Sequence, residues 1–220
     1  MTEENMKEYE NPTYPIFHWD VVQKTEEWND LRRAKITASI AKTFLVVGKG
    51  IGGLGAGAIT ELYRIVEEKL SGVAREGFGG SKATDHGNLN EPLAAECYEN
   101  LYFRKIKPVG FVSRSEWTGA SPDGLIPEIE KGVEIKCFPK EHMKIIDSGK
   151  YRQDEVVQIQ FNLWCTSYKT WDLIYFHPNL PEKARMKVHT LIPDPEMHAR
   201  FNQMEKEFVK IVNEKVCKYV

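Results

Sequence analysis

Between Ser121 and Cys137 the chain reads Ser-Pro-Asp-Gly-Leu-Ile, a short turn, and then Gly-Val-Glu-Ile-Lys-Cys. Asp123 and Glu134 stand eleven positions apart, and Lys136 follows Glu134 by two. In a β-strand positions i and i+2 share a face. Glu134 and Lys136 therefore project together, while Val133 and Ile135 turn to the opposite, apolar side. A turn over 127–131 that folds the preceding segment back as a hairpin brings Asp123 beside Glu134. Two carboxylates and an ammonium on one sheet edge suit a hard divalent cation and a phosphate. Magnesium takes oxygen ligands at about 2.0–2.1 Å, usually one or two carboxylates completed by substrate phosphate and water. Asp123 and Glu134 supply the carboxylates, and the Ile135 backbone carbonyl lies between them. A cation there lowers the pKa of bound water and neutralises charge building on a phosphate under attack. Lys136 is suited to orient the attacking water and stabilise negative charge. Its ammonium stays protonated beside carboxylates unless burial dominates, which favours these roles over base catalysis.

A Glu-x-Lys pair on an edge strand is often plain surface charge. Three features weigh against that here. Val133 and Ile135 alternate with the charges, so the strand is half buried; Asp123 sits in a Pro-Asp-Gly turn that can hold its side chain rigidly; and Glu91 and Gln158 fall on flanking helices, where they can complete the shell.

The elements that must position this group follow from the pattern. A polar segment with Pro12 and Pro15 reads as a loose arm, taken as 1–20, ahead of a single domain over 21–220. A helix starts after Thr25, a side-chain cap with Glu26 and Glu27 in the first turn. A second begins near Thr37 and runs through Ile40, Phe44 and Leu45. Six glycines between Gly48 and Gly57 make a loop, and Ile59–Leu70 is a helix closed by Gly72, with Leu62 and Val66 on its apolar face. A second glycine-rich loop covers 75–82, and a helix over 84–102 is interrupted near Pro92. Strands are expected at 109–113, 117–120, 123–126, 133–137, 171–176 and 186–192. Pro139 opens a short helix, 155–166 is a buried one, and Asp194-Pro195-Glu196 starts the last. Helices, a strand meander, a buried helix, two strands and a final helix make an α/β fold: a mixed central β-sheet flanked by helices, with an N-terminal helical elaboration.

Composition sets bounds. Of 220 residues, 41% are apolar and 28% charged, as in an ordinary soluble globular protein. The net charge of −2 excludes a uniformly basic coat for nucleic acid, so any such contact is local. Cys97, Cys137, Cys165 and Cys217 form no Cys-x-x-Cys pair and fit no common zinc or iron–sulfur spacing. The polar N-terminus lacks a signal core and no apolar run approaches the roughly 18 residues a membrane span needs, so a cytoplasmic protein is expected.

Taken together the motifs resemble the PD-(D/E)xK nuclease superfamily, and more closely the lambda-type (YqaJ-type) phage recombination exonucleases. The matching pieces are Trp28 with Leu31-Arg32, Ile36-Thr37-Ala38-Ser39, His86-Gly87 with Glu91, Ser121-Pro122-Asp123-Gly124-Leu125, Glu134-Ile135-Lys136-Cys137, and Gln158-Ile159-Gln160 with Trp164. They run in the family's order over about 24–168. The resemblance implies a restriction-endonuclease-like core and a Mg²⁺- or Mn²⁺-dependent 5′→3′ exonuclease on double-stranded DNA ends, with two ions per site. It implies ligation by Asp123, Glu134, the Ile135 carbonyl and Glu91, with Lys136 catalytic and Gln158 supporting. Arg32, Thr37, Ser39 and Ser121, with Trp28 alongside, are implied to hold a 5′-terminal phosphate. A phosphate pocket at a helix start has its own physical basis, since free N–H groups and the dipole favour anions there. Also implied are a ring-shaped homotrimer and a single-strand annealing protein as partner.

Alternatives stay open at this point. The same core serves sequence- or structure-specific endonucleases, and a DNA-end-binding protein without activity has no need of the complete Asp, Glu and Lys set. An iron–sulfur repair nuclease fits the separated cysteines poorly. Gly48-x-Gly50-x-x-Gly53 matches a dinucleotide fingerprint with Glu68 beyond it, but Glu68 falls inside a helix where that fold needs a strand end. The six histidines show no metal spacing.

Overall fold

The computed structural model describes residues 13–74, 82–137 and 141–220, with the backbone alone over 82–88. The expected glycine-rich loop at 75–81, the helix start at Pro139 and the His86 side chain lie outside that description.

The chain opens with β1 (Ile16–His18), α1 (Glu26–Arg32), β2 (Ile36–Thr37), α2 (Ala41–Phe44) and α3 (Ala56–Ser71). Then come α4 (Lys82–Tyr102), β3 (Phe111–Ser113), β4 (Thr118–Ala120), β5 (Gly124–Ile126) and β6 (Lys131–Lys136). It ends with α5 (His142–Ser148), α6 (Gln153–Thr166), β7 (Thr170–Phe176), α7 (Glu182–Arg185), β8 (Met186–Leu191) and α8 (Pro195–Val216).

Local chemistry accounts for the helix ends. The Thr25 hydroxyl accepts from Trp28 N at 3.3 Å and starts α1. Asp194 accepts from Glu196 N and Met197 N at 3.0 and 3.1 Å to start α8, with Pro195 at its first position. Gly72, at φ 68°, adopts the left-handed conformation that ends α3.

The strands form two four-stranded mixed sheets, ordered β1-β3-β4-β2 and β5-β6-β7-β8, where the sequence suggested one central sheet. The division falls at Ser121–Asp123, between β4 and β5, where Pro122 offers no N–H to a ladder. Two further expectations are corrected. Ile16–His18, inside the expected arm, pairs antiparallel with β3. Ile36 and Thr37 are not helical: they pair parallel with Thr118 and Gly119, and Ile36 N donates to Trp117 O at 2.8 Å. Both residues are β-branched and buried, so strand pairing prevails over the weak helical period. Pro92 removes one backbone hydrogen bond but does not divide α4.

The second sheet carries the candidate site residues. β5 and β6 form the expected hairpin, in the register Gly124↔Val133, and β6 runs parallel to β7 with Glu134 opposite Leu173. One face packs Leu125, Leu173 and Tyr175 against Ile159 and Leu163 of α6. The other packs Val133, Ile135, Ile174 and Phe176 against Ala94 and Tyr98 of α4. Within the β6–β7 pair, Gly132 leaves room for the Trp171 ring, which a Cβ there would meet at 2.2 Å. The buried Asp172 carboxylate accepts from Tyr98 Oη at 2.6 Å, Lys131 Nζ at 2.8 Å and Thr190 Oγ1 at 2.6 Å. It thereby ties α4, β6 and β8 to the central strand. Helix α6 is less apolar than its sequence suggested. Gln160 is buried because it links the β8–α8 connection, donating to Ile192 O and accepting from Asp194 N, both at 2.8 Å.

Candidate active site

The hairpin register sets Asp123, just ahead of β5, beside the outer end of β6. Asp123 Oδ2 accepts the Ile135 N–H at 2.6 Å. Glu134 is almost fully buried beneath α6. Its Oε1 accepts from Lys136 Nζ at 2.5 Å and from Gln158 Nε2 at 2.7 Å, and its Oε2 accepts from Asn162 Nδ2 at 3.2 Å. Lys136 Nζ also lies 3.4 Å from Gln158 Oε1. The Glu91 carboxyl, on α4, lies near that of Asp123, and a hydrogen bond between them requires that one of the two hold a proton. The structure thus gathers Glu91, Asp123, Glu134, Lys136 and Gln158, together with the backbone N–H of Ile135, at the C-terminal end of β6, which is an inner strand and not the edge strand expected.

Electrostatics there are unbalanced. Burial, and then the nearby Glu134 and Glu91 carboxylates, push the Asp123 carboxyl well above the usual range, against the pull of Lys136 and the Ile135 N–H. Burial likewise raises Glu91. Burial disfavours the charged form of Lys136, but Glu134 and Asp123 outweigh it and hold the ammonium above its ordinary value. Glu91, Asp123 and Glu134 converge on Lys136, with Lys24 also acting on Glu91, and a divalent cation fits this donor set. Among the described residues no three His, Cys, Asp or Glu side chains are already arranged as a metal cage. An ion that takes one or two carboxylates and fills its shell with water and phosphate suits this better than one needing an all-protein cage.

Crowded carboxylates cost stability when no cation is bound. A carboxyl whose folded pKa is raised holds its proton more tightly in the native state. Stability therefore falls as pH climbs above the ordinary carboxylate range. Asp123→Asn keeps an oxygen for the Ile135 N–H and removes the charge. In metal-free buffer near neutral pH it is expected to raise the thermal midpoint. A lower midpoint by calorimetry contradicts the repulsion described here.

A cleft of about 200 Å³ extends from Lys136 and Gln158 past Glu155, Lys42 and Arg152 to Ser39. A second cluster lies on the Ser121 side. Arg32 Nη1 and Trp28 Nε1 each donate to Ser121 Oγ at 3.0 Å, Trp28 Nε1 also reaches Gly110 O at 3.0 Å, and the Arg32 guanidinium stacks 4.2 Å from the Trp28 ring centre. Burial, reinforced by Arg64 and opposed by Glu68, lowers Arg32 to about 10. Among the described residues no carboxylate forms a salt bridge with Arg32, so its charge is available to an anion. Thr37 and Ser39 approach each other, Oγ1 to Oγ, at 3.3 Å. They do not stand at a helix start as expected: Thr37 is buried in β2, and α2 begins at Ala41 without a side-chain cap.

Sequence reasoning missed two features. Asn162 reaches Glu134 from one turn beyond Gln158, and that i, i+4 spacing on a helix was legible. Glu68, weighed above only as a dinucleotide ligand, accepts from Ala34 N at 2.6 Å and Arg64 Nη1 at 2.7 Å, while Arg64 Nη2 donates to Lys35 O at 3.1 Å. This buried clamp holds the turn after Arg32, where Ala34 has φ 54°. No pattern in the sequence announces it.

The fold has counterparts among solved structures. The structure of LHK-Exo in complex with dAMP matches with TM-score 0.77 at 23% identity, covering 89% of this chain and 96% of the other. A second structure of that protein, an alkaline exonuclease from Laribacter hongkongensis, matches with TM-score 0.76 at the same identity and coverage. A phage related exonuclease from Haemophilus somnus 129PT matches with TM-score 0.66 at 15% identity, covering 87% of this chain and 99% of the other. These likenesses establish the restriction-endonuclease-like α/β fold. No curated protein sequence matches the chain. The YqaJ-like viral recombinase domain matches residues 27–169, a span that contains Arg32, Asp123, Glu134, Lys136 and Gln158, and the chain belongs to that family.

Proposed function

We propose that the protein is a metal-dependent 5′→3′ exonuclease of double-stranded DNA ends. It releases 5′-mononucleotides and leaves 3′ single strands for recombination by strand annealing. The observation that carries this reading is the charged Lys136 ammonium held by Glu134 beside Asp123, at the mouth of a cleft. Three similar structures named as exonucleases, one of them in complex with the mononucleotide dAMP, support the reaction class.

Asp123, Glu134, the Ile135 carbonyl and Glu91 are the groups to hold Mg²⁺ or Mn²⁺, as two ions. When bound, the metal supplies charge neutralisation at the phosphate and a more acidic water. Lys136, about 20% exposed toward the cleft, orients the incoming water and stabilises charge on the phosphate oxygens. Gln158 contacts both Glu134 and Lys136 and fixes their separation. Arg32 and Ser121, backed by Trp28 and joined by Thr37 and Ser39, are the groups to grip the terminal 5′-phosphate. Ser121 and Asp123 are two residues apart, so a gripped end presents a nearby linkage to the hydrolytic group, which sets the direction.

A homotrimeric ring lets a chain of net charge −2 turn its basic groups inward on DNA, and requires a heterologous interface that closes after three copies. A single-strand annealing protein is the partner suited to the exposed 3′ strand. Among the described residues no helix is long and apolar enough to cross a membrane, and the proposed site of action is the cytoplasm of a bacterial or phage-infected cell.

The test uses end-labelled linear duplex and covalently closed circular DNA, each with Mg²⁺ and with a chelator. The expected result is mononucleotide release from the linear duplex alone, with turnover lost on chelation. Cleavage of the closed circle favours an endonuclease on the same core. Turnover that survives chelation contradicts metal dependence.

A further inference from the structure

We infer that Asn162 is a positioning residue for the Glu134 carboxylate, and through it for metal binding; this rests on the reading of Glu134 as a ligand. Asn162 is fully buried on α6. Its Nδ2 donates to Glu134 Oε2 at 3.2 Å, and its Oδ1 has no hydrogen-bond partner among the described residues. The two facts have one cause. A carboxylate only accepts hydrogen bonds, so the amide must turn its nitrogen toward Glu134, which leaves its oxygen without a partner among the described residues. Burying an unsatisfied oxygen is unfavourable, and an apolar side chain of the same size avoids it. What the amide supplies is a donor to the one Glu134 oxygen that neither Lys136 nor Gln158 reaches.

The geometry divides the work. Lys136 and Gln158 both donate to Oε1. Neither of them reaches Oε2. Asn162, one helical turn beyond Gln158, holds the second oxygen and fixes the carboxylate plane. Partners of this kind orient the groups that bind a metal, and losing one typically weakens metal affinity or activity by about 10–100-fold.

The experiment titrates Mn²⁺ into the full chain without DNA, following free Mn²⁺ by electron paramagnetic resonance, for the wild type, Asn162→Leu, Glu134→Gln and the double variant. Folding is checked by circular dichroism. Asn162→Ala, which removes the same donor without adding bulk, carries the same expectation if the Leu variant does not fold. Asn162→Leu is expected to bind Mn²⁺ about tenfold more weakly or worse. In the Glu134→Gln background the same change is expected to have an effect below about twofold, because the group it positions is already gone. A purely structural role predicts equal losses in both backgrounds, and that result overturns the inference. So does wild-type affinity in Asn162→Leu when Glu134→Gln binds weakly. Wild-type affinity in Glu134→Gln overturns the ligand assignment itself, and this inference with it.

Discussion

Lys136→Met is expected to slow phosphodiester hydrolysis by about 10²–10⁴-fold, the range typical of losing a positioned proton-transfer or charge-stabilising group. Methionine keeps the aliphatic stem that packs beneath the cleft and deletes only the ammonium. Glu134 then retains Gln158 on Oε1 and Asn162 on Oε2, so its carboxylate stays hydrogen-bonded and the hairpin keeps its register. Removing one partner of a buried ion pair does cost stability, about 3–5 kcal/mol where both charges are deeply buried. Lys136 is partly exposed, so the cost here is smaller. The comparison is therefore made on folded protein with saturating Mg²⁺, where single-turnover rates report chemistry apart from DNA binding. The loss should appear in the rate constant, with affinity for duplex ends nearly unchanged. Turnover within tenfold of wild type removes Lys136 from the chemistry.

Arg32→Ala is expected to weaken use of 5′-phosphorylated duplex by about 30-fold or more, since losing one partner of a buried, hydrogen-bonded charge pair costs roughly 2–5 kcal/mol. With 5′-hydroxyl ends the same substitution should have little effect, because no terminal phosphate is there to lose its partner. Without ligand, Arg32 rests on the Trp28 ring and donates to the neutral Ser121 hydroxyl. Its charge is thus largely desolvated and, among the described residues, makes no salt bridge, an arrangement that an incoming phosphate would complete. Arg32→Lys is not a rescue: an ammonium cannot both stack on Trp28 and donate in two parallel bonds. Equal losses on both kinds of end would assign Arg32 to general duplex binding and dissolve the phosphate pocket.

Much of the candidate site was legible in the sequence because it is local. The i, i+2 alternation of Glu134 and Lys136, and a hairpin turn short enough to set its own register, bring Asp123 to Glu134 without distant contacts. Helix caps at Thr25 and Asp194 are equally local, and each stands where its residue type indicates. Tertiary structure decided what depends on pairing between remote segments. Ile36 and Thr37 became a strand because β4, some eighty residues away, offered a ladder; Ile16–His18 was drawn out of the expected arm by β3 in the same way. The single expected sheet became two at Pro122. Likewise the Glu68–Arg64 clamp on Ala34 joins segments about thirty residues apart, and no periodicity records it. Spacing along the chain determined which groups could act together; only burial decided how strongly their charges are felt, because desolvation depends on what packs above them.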